Sequence, residues 1–194
     1  FYPKRRTKTM RYRMLPFGQA ANADRNNWFG NAKAAPVIPS GKTQVAFIPF
    51  LLPKNKVVAA SEKYQEVVIP VDKNLNGLIF LQGCYVPESG IKFLKERSKD
   101  YQYGVPVGEL RIEYATGASE LIPLRFGMNT LNIRPLNTAR FMFDTRYTWD
   151  LKTADGTAAA LYVIEWANKY QKRKIRQIVL KTYDTPAVPV IFAI

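Results

Sequence analysis

From Val107 to Asn129 the chain reads VGELRIEYATGASELIPLRFGMN, and polarity alternates residue by residue through its first arm. Leu110, Ile112 and Tyr114 fall on one face, and Glu109, Arg111 and Glu113 on the other. A period of two is the mark of a half-buried strand, because successive side chains point to opposite faces. Ala115-Thr116-Gly117-Ala118 supplies a turn, with Gly117 free to take positive φ. Leu121-Ile122-Pro123-Leu124 then returns as a second arm. Pro123 has no N–H to give a ladder, so this arm belongs at a sheet edge or at a bulge. The hairpin carries no reactive group and reads as scaffold.

The same pattern recurs along the chain. Thr43 to Phe50 reads as a strand ending at Pro53, and Tyr64 to Val71 as another, with Asp72 to Gly77 as its turn. Leu78 to Tyr85 is almost continuously apolar, as expected of a strand central in a sheet. Phe141 to Trp149, Leu161 to Ala167, Ile175 to Thr182 and Val188 to Ile194 complete the strand set, with a turn over Asp150 to Gly156. An extended stretch from about Met10 to Phe17 precedes a polar loop over Gly18 to Lys33, and Asn129 to Arg140 is loop-like. Ser89 to Val105 breaks the pattern. Ile91, Phe93 and Leu94 could start a short helix with Lys92, Lys95, Glu96 and Arg97 solvated, but Gly90 and Gly104 bound it closely, and it reads as a charged excursion loop. About nine or ten short strands with little helical periodicity argue an all-β sandwich or jelly roll. With 194 residues and no repeat, the chain is one domain, residues 1–14 being a basic leader or linker segment.

Composition narrows the chemistry. Histidine is absent, which removes Ser-His-Asp and Cys-His mechanisms and the usual zinc ligand sets. Cys84 is solitary in an apolar context and reads as a buried, inert thiol, and the chain forms no internal disulfide. No run of about 18 apolar residues is present, and the first residues lack the apolar segment of an intact signal peptide. The net charge of +14 concentrates in two places. Residues 1–14 carry Lys4, Arg5, Arg6, Lys8, Arg11 and Arg13 with no acid, and residues 165–181 carry Lys169, Lys172, Arg173, Lys174, Arg176 and Lys181 against Glu165. A field of this sign favours polyanions: nucleic acid, anionic membrane or acidic polysaccharide.

Four segments together resemble the non-catalytic β-sandwich domains of secreted bacterial polysaccharide-degrading enzymes. They are Trp28-Phe29-Gly30 running through Ile38-Pro39-Ser40-Gly41 to Phe47-Ile48-Pro49-Phe50; Leu78-Ile79-Phe80-Leu81-Gln82-Gly83; Val107-Gly108-Glu109-Leu110 through Ile122 to Asn129; and Tyr162 to Asn168 with Lys174 to Ile178 and Ala187 to Ile194. The resemblance spans residues 28 to 194. It implies a galactose-binding-like or jelly-roll sandwich, secreted, that binds carbohydrate or supports a covalently linked catalytic domain of a glycoside hydrolase.

A sugar site on such a sandwich needs an aromatic platform beside a few convergent polar groups. Trp28, with Asp24, Arg25, Asn26 and Asn27 before it, either stacks on a sugar or pins its loop to the core. Tyr147 and Trp149 share a strand face near Arg146, Asp144 and Asp150, with the same two readings. Tyr101 and Tyr103 form a third aromatic patch, and Trp166 reads as core. Glu109 and Glu113 stand about 13 Å apart at roughly 3.3 Å per residue, beyond a glycosidase pair, with Arg111 between them. They read as a charge ladder. Asp144 with Asp150, or Asp72 with Asn74, offers hard oxygens to a structural calcium ion, though in no EF-hand spacing.

The sequence therefore leads to a non-catalytic carbohydrate-binding or accessory module, with Lys and Arg favouring acidic polysaccharide. The alternative is a nucleic-acid-associated jelly roll, such as a small viral capsid protein with a basic amino-terminal arm. An enzyme ranks third.

Overall fold

The computed structural model describes residues 11–27, 29–134, 145 and 147–194. Among them are twelve strands: β1 Ala23–Asp24, β2 Gly41–Val45, β3 Ile48–Leu52, β4 Lys56–Ala59, β5 Glu66–Lys73, β6 Gly77–Tyr85, β7 Val105–Tyr114, β8 Ser119–Phe126, β9 Tyr147–Lys152, β10 Ala158–Ala167, β11 Ile175–Thr182 and β12 Val188–Ala193. One α-helix, α1, spans Glu88–Arg97. No helix among the described residues is long and apolar enough to cross a membrane.

The strands form a six-stranded sheet in the order β1-β4-β12-β6-β10-β9, a four-stranded sheet in the order β5-β11-β7-β8, and the hairpin β2-β3. From β4 to β7 each connection crosses from one large sheet to the other, and it does so again through β10, β11 and β12. This is the winding of a jelly roll, in which β4-β12-β6-β10 faces β5-β11-β7-β8.

Alternation along each strand explains the layering. Phe80 and Cys84 of β6, Leu110, Ile112 and Tyr114 of β7, Ile164 of β10 and Ile178 and Leu180 of β11 fill the space between the large sheets. Leu81, Leu161, Val163, Val190 and Phe192 point out of the other side of the six-stranded sheet. There they meet Val45, Ile48, Phe50 and Leu52 of the β2–β3 hairpin together with Ala34, Ala35 and Ile38. The six-stranded sheet is thus buried on both faces, which is why β6 and β12 read as nearly unbroken apolar runs. The four-stranded sheet buries one face only, and β5 and β7 alternate cleanly.

Several expectations hold. β6 sits in the middle of its sheet, flanked by β12 and β10. β7 and β8 pair as the hairpin of 107–129, and β8, with Pro123, is an edge strand. Residues 129–133 are irregular, as expected, yet firmly held. Thr130 Oγ1 donates to Gln82 Oε1 at 2.8 Å, Gln82 Nε2 donates to the Asn129 carbonyl at 2.8 Å, and Ile133 N–H donates to Cys84 O at 2.8 Å.

Three expectations are corrected. The single strand expected over Thr43 to Phe50 is two strands joined at Ala46 and Phe47, whose φ angles are 48° and 68°. Such a turn ordinarily takes Asn-Gly, so the sequence gives no sign of it. The excursion at 89–105 contains a ten-residue helix, because Gly90 permits contact rather than ending it. A Cβ on Gly90 would stand 2.6 Å from Pro186 Cβ, and Leu94 is buried one turn on. Glu88 in the first turn and Lys95 and Arg97 in the last suit the helix dipole. Finally, β9 runs on through Lys152, past the turn expected to begin at Asp150, while residues 141–144 lie outside the described set. In the amino-terminal stretch, Leu15 N–H donates to Ile194 O at 2.9 Å, and residues 11–17 form no regular strand.

Phe47 is 90% exposed at the hairpin tip, so its left-handed backbone is offset by little burial of its own. Replacing Ala46-Phe47 with Asn-Gly should raise stability by roughly 1 kcal/mol in urea unfolding. A drop in stability would contradict the turn geometry.

Candidate functional site

The residues proposed from sequence for a sugar site fall in different settings. Trp28, Arg146 and Asp144 lie outside the described residues. Arg25 is 7% exposed, and its guanidinium donates to the carbonyls of Ile38 at 2.5 Å, Pro53 at 2.6 Å and Pro39 at 3.4 Å. It ties the loop to both flanks of the β2–β3 hairpin, and burial lowers its pKa from the ordinary arginine value. Asp24 Oδ1 accepts from Asn26 N–H at 2.8 Å, which closes a tight turn with Asn27 exposed beyond it. Phe29 then stacks on Tyr85 with ring centres 4.7 Å apart.

Tyr147 and Trp149 share one face of β9 and pack, half-buried, against the outer cluster of the six-stranded sheet; Asp150 is exposed. The loop at 24–30 and the β9 aromatics therefore lie over the same face of that sheet. Tyr101 and Tyr103 do not join them. Tyr101 packs against the core between the large sheets, and Tyr103 is 63% exposed on the segment after α1. Trp166 is half-buried against that same core.

Cys84 is fully buried, with Sγ 3.3 Å from Thr130 Oγ1, and burial pushes its thiol up to about 12. Asp72 is paired with Lys174 at 2.6 Å. Among the described residues, no group of three or more His, Cys, Asp or Glu side chains is placed to hold a metal ion.

The outer face of the four-stranded sheet is a ladder of alternating charge. Arg111 lies between Glu113 at 2.9 Å and Glu109 at 3.8 Å and reaches Glu66 at 3.6 Å. Arg176 meets Glu113 at 2.7 Å, and Lys181 meets Glu66 at 3.4 Å. Tyr183 donates to Glu109, and with burial this raises its phenol to about 12. Half of the second basic cluster is thus engaged within the sheet: Lys174, Arg176 and Lys181 each have a carboxylate partner. Lys169, Lys172 and Arg173 stand exposed on the turn between β10 and β11.

Strand register places that turn relative to the basic amino-terminal segment. Ala193 pairs with Leu81, and Leu15 is bonded to the next residue, Ile194. Four residues back along β6, Gly77 pairs with Ala167, where the turn begins. The root of the amino-terminal segment therefore stands level with the middle of β6 and the basic turn at its Gly77 end, about 13 Å apart along the strands and two strand spacings, about 10 Å, apart across them. Of the basic segment, Arg11 and Arg13 are described and exposed, and residues 1–10 lie outside the described set. Sequence spacing offers no sign of this placement, since more than 150 residues separate the two clusters.

No family model matches the chain, and no curated protein or solved structure matches it.

Glu113 is held below its ordinary pKa by hydrogen bonds from Arg176, then Arg111, then Gln177. A carboxylate whose pKa falls on folding stabilises the fold above its unfolded value, and that contribution vanishes as pH drops through the lowered one. Glu113→Gln should therefore lower the melting temperature at pH 7 and flatten its decline below pH 4.5. An unchanged acid profile in a thermal scan would contradict the ladder's role.

Proposed function

We propose that this chain is the subunit of a nucleic-acid-packaging shell, a jelly roll whose basic amino-terminal segment binds nucleic acid as small viral capsid proteins do. The observation that carries this reading is the pairing of two features in one chain. One is the interleaved strand order β4-β12-β6-β10 over β5-β11-β7-β8. The other is an acid-free basic segment whose root is bonded to the carboxyl-terminal end of β12. Jelly rolls serve both capsids and lectins, so the fold alone does not choose between them. The charge does. Six cations in the first 14 residues meet no acid within that segment, and they suit a ligand whose affinity comes from counterion release.

A polysaccharide ligand has one observation in its favour: Tyr147 and Trp149 share a face of the edge strand β9, on the same side of the sheet as the 24–30 loop. Under that reading affinity electrophoresis retards the protein in anionic glycan gels, and Trp149→Ala abolishes the retardation.

The nucleic-acid reading is tested by electrophoretic shift across a salt series. The full chain should bind single-stranded DNA without sequence preference, and its log affinity should fall linearly with log salt. Replacing Lys4, Arg5, Arg6, Lys8, Arg11 and Arg13 with Gln should weaken binding uniformly across sequences and flatten the salt slope by about 0.7 for each phosphate no longer neutralised. Absence of a shift at physiological salt would overturn the proposal.

A further inference from the structure

We infer that the turn between β10 and β11, residues 168–174, is a second contact for single-stranded nucleic acid, in which an unpaired base stacks on the Tyr170–Arg173 pair while Lys169, Lys172 and the edge of the Arg173 guanidinium meet the flanking phosphates. This deepens the reading above and rests on it.

Asn168 makes the turn rigid. It is 2% exposed; its backbone N–H donates to Asn76 O at 2.9 Å and its Nδ2 to Leu75 O at 2.8 Å. Its Oδ1 accepts from both Tyr114 Oη and Tyr170 N–H, each at 2.8 Å. Arg173 N–H closes the turn on Tyr170 O at 2.8 Å. Both polar atoms of the Asn168 side chain thus hold the turn in place, and the side chains that follow face solvent.

Those side chains are of one kind. Lys169, Tyr170, Gln171, Lys172 and Arg173 are all exposed, with Tyr170 at 45%. Among the described residues, Lys169, Lys172 and Arg173 form no ion pair, whereas Lys174 and Arg176, the next cations along, are paired. Glu120, the acid on the neighbouring β8, has its carboxylate 3.0 Å from Tyr114 Oη. The Tyr170 ring packs at 85° to the Tyr114 ring, 5.9 Å between centres, and the Arg173 guanidinium lies over the Tyr170 ring, 4.2 Å from its centre. Bases stack on guanidinium planes as well as on aromatic rings, so this stacked pair is a surface that a base can extend.

The ligand must be single-stranded, because the bases of a duplex already stack on one another and present no face to a protruding ring. The location agrees. The turn stands about 13 Å along the strands and about 10 Å across them from Leu15, the root of the basic segment, a gap that a few nucleotides of one strand span.

Binding of the full chain to a fluorescent oligothymidylate and to a duplex of equal length separates the possibilities, with melting temperature recorded for each variant. Tyr170→Ala should weaken oligothymidylate binding roughly 5- to 100-fold, Tyr170→Phe should restore it, and duplex binding should be unmoved by either. Lys169→Gln/Lys172→Gln/Arg173→Gln changes exposed side chains only and should flatten the salt slope for oligothymidylate by about 2. Oligothymidylate binding at wild-type strength in both the Ala variant and the triple variant would overturn this contact while the proposed function stands. A wild-type chain that binds neither probe would overturn the proposed function itself.

Discussion

β6 carries apolar side chains on both faces: Leu78, Phe80 and Cys84 toward the four-stranded sheet, and Leu81 away from it. β10 and β12 do the same, so the six-stranded sheet needs a cover on each side. The four-stranded sheet is one cover, and the β2–β3 hairpin with residues 34–38 is the other. Each large apolar side chain without its cover would forfeit about 1.5–3 kcal/mol. Arg25 holds that second cover down. Its cation is compensated by three carbonyl oxygens rather than by a carboxylate, and they belong to the two chain segments that enter and leave the hairpin. A polar residue singled out from sequence as a ligand contact thus stands where it braces the outer layer.

Charge is distributed just as unevenly. The exposed face of the four-stranded sheet pairs its cations with its acids across strands, so little field remains there for a distant ligand. Lys169, Lys172 and Arg173 of the β10–β11 turn form no ion pair among the described residues, and strand register sets that turn at the Gly77 end of β6, with Leu15 level with the middle of the strand. Both outer strands of the four-stranded sheet carry a proline, Pro70 in β5 and Pro123 in β8, which blunts them against strand addition. Under the proposed function, contacts between copies therefore run through faces and loops rather than through extension of that sheet.

How much of this could be read in the chain varied with the kind of signal. Period-two polarity marked β7, the apolar run returning after the Gly117 turn marked β8, and the continuous apolar run of β6 marked a strand central in its sheet, because burial writes itself directly into residue type. The β2–β3 turn left no trace, since Ala46 and Phe47 hold a positive φ that their side chains do not advertise. α1 was hidden by Gly90, whose lack of a side chain serves packing on Pro186 and so imitates a helix breaker. Arg25 and Asn168 make their key bonds to backbone atoms distant in sequence, which no local pattern announces. The same holds for the two basic clusters. Each was plain in composition, but where the β10–β11 turn stands relative to Leu15 depends on how β6, β10 and β12 align.

Assembly is the property that separates a shell subunit from any monomeric jelly roll. Sedimentation velocity and electron microscopy of the full chain mixed with single-stranded DNA at physiological salt test it most directly. A shell subunit should give closed particles of one size, each containing many copies of the chain with the nucleic acid inside. Complexes that remain at a single copy of the chain at every protein concentration would contradict it.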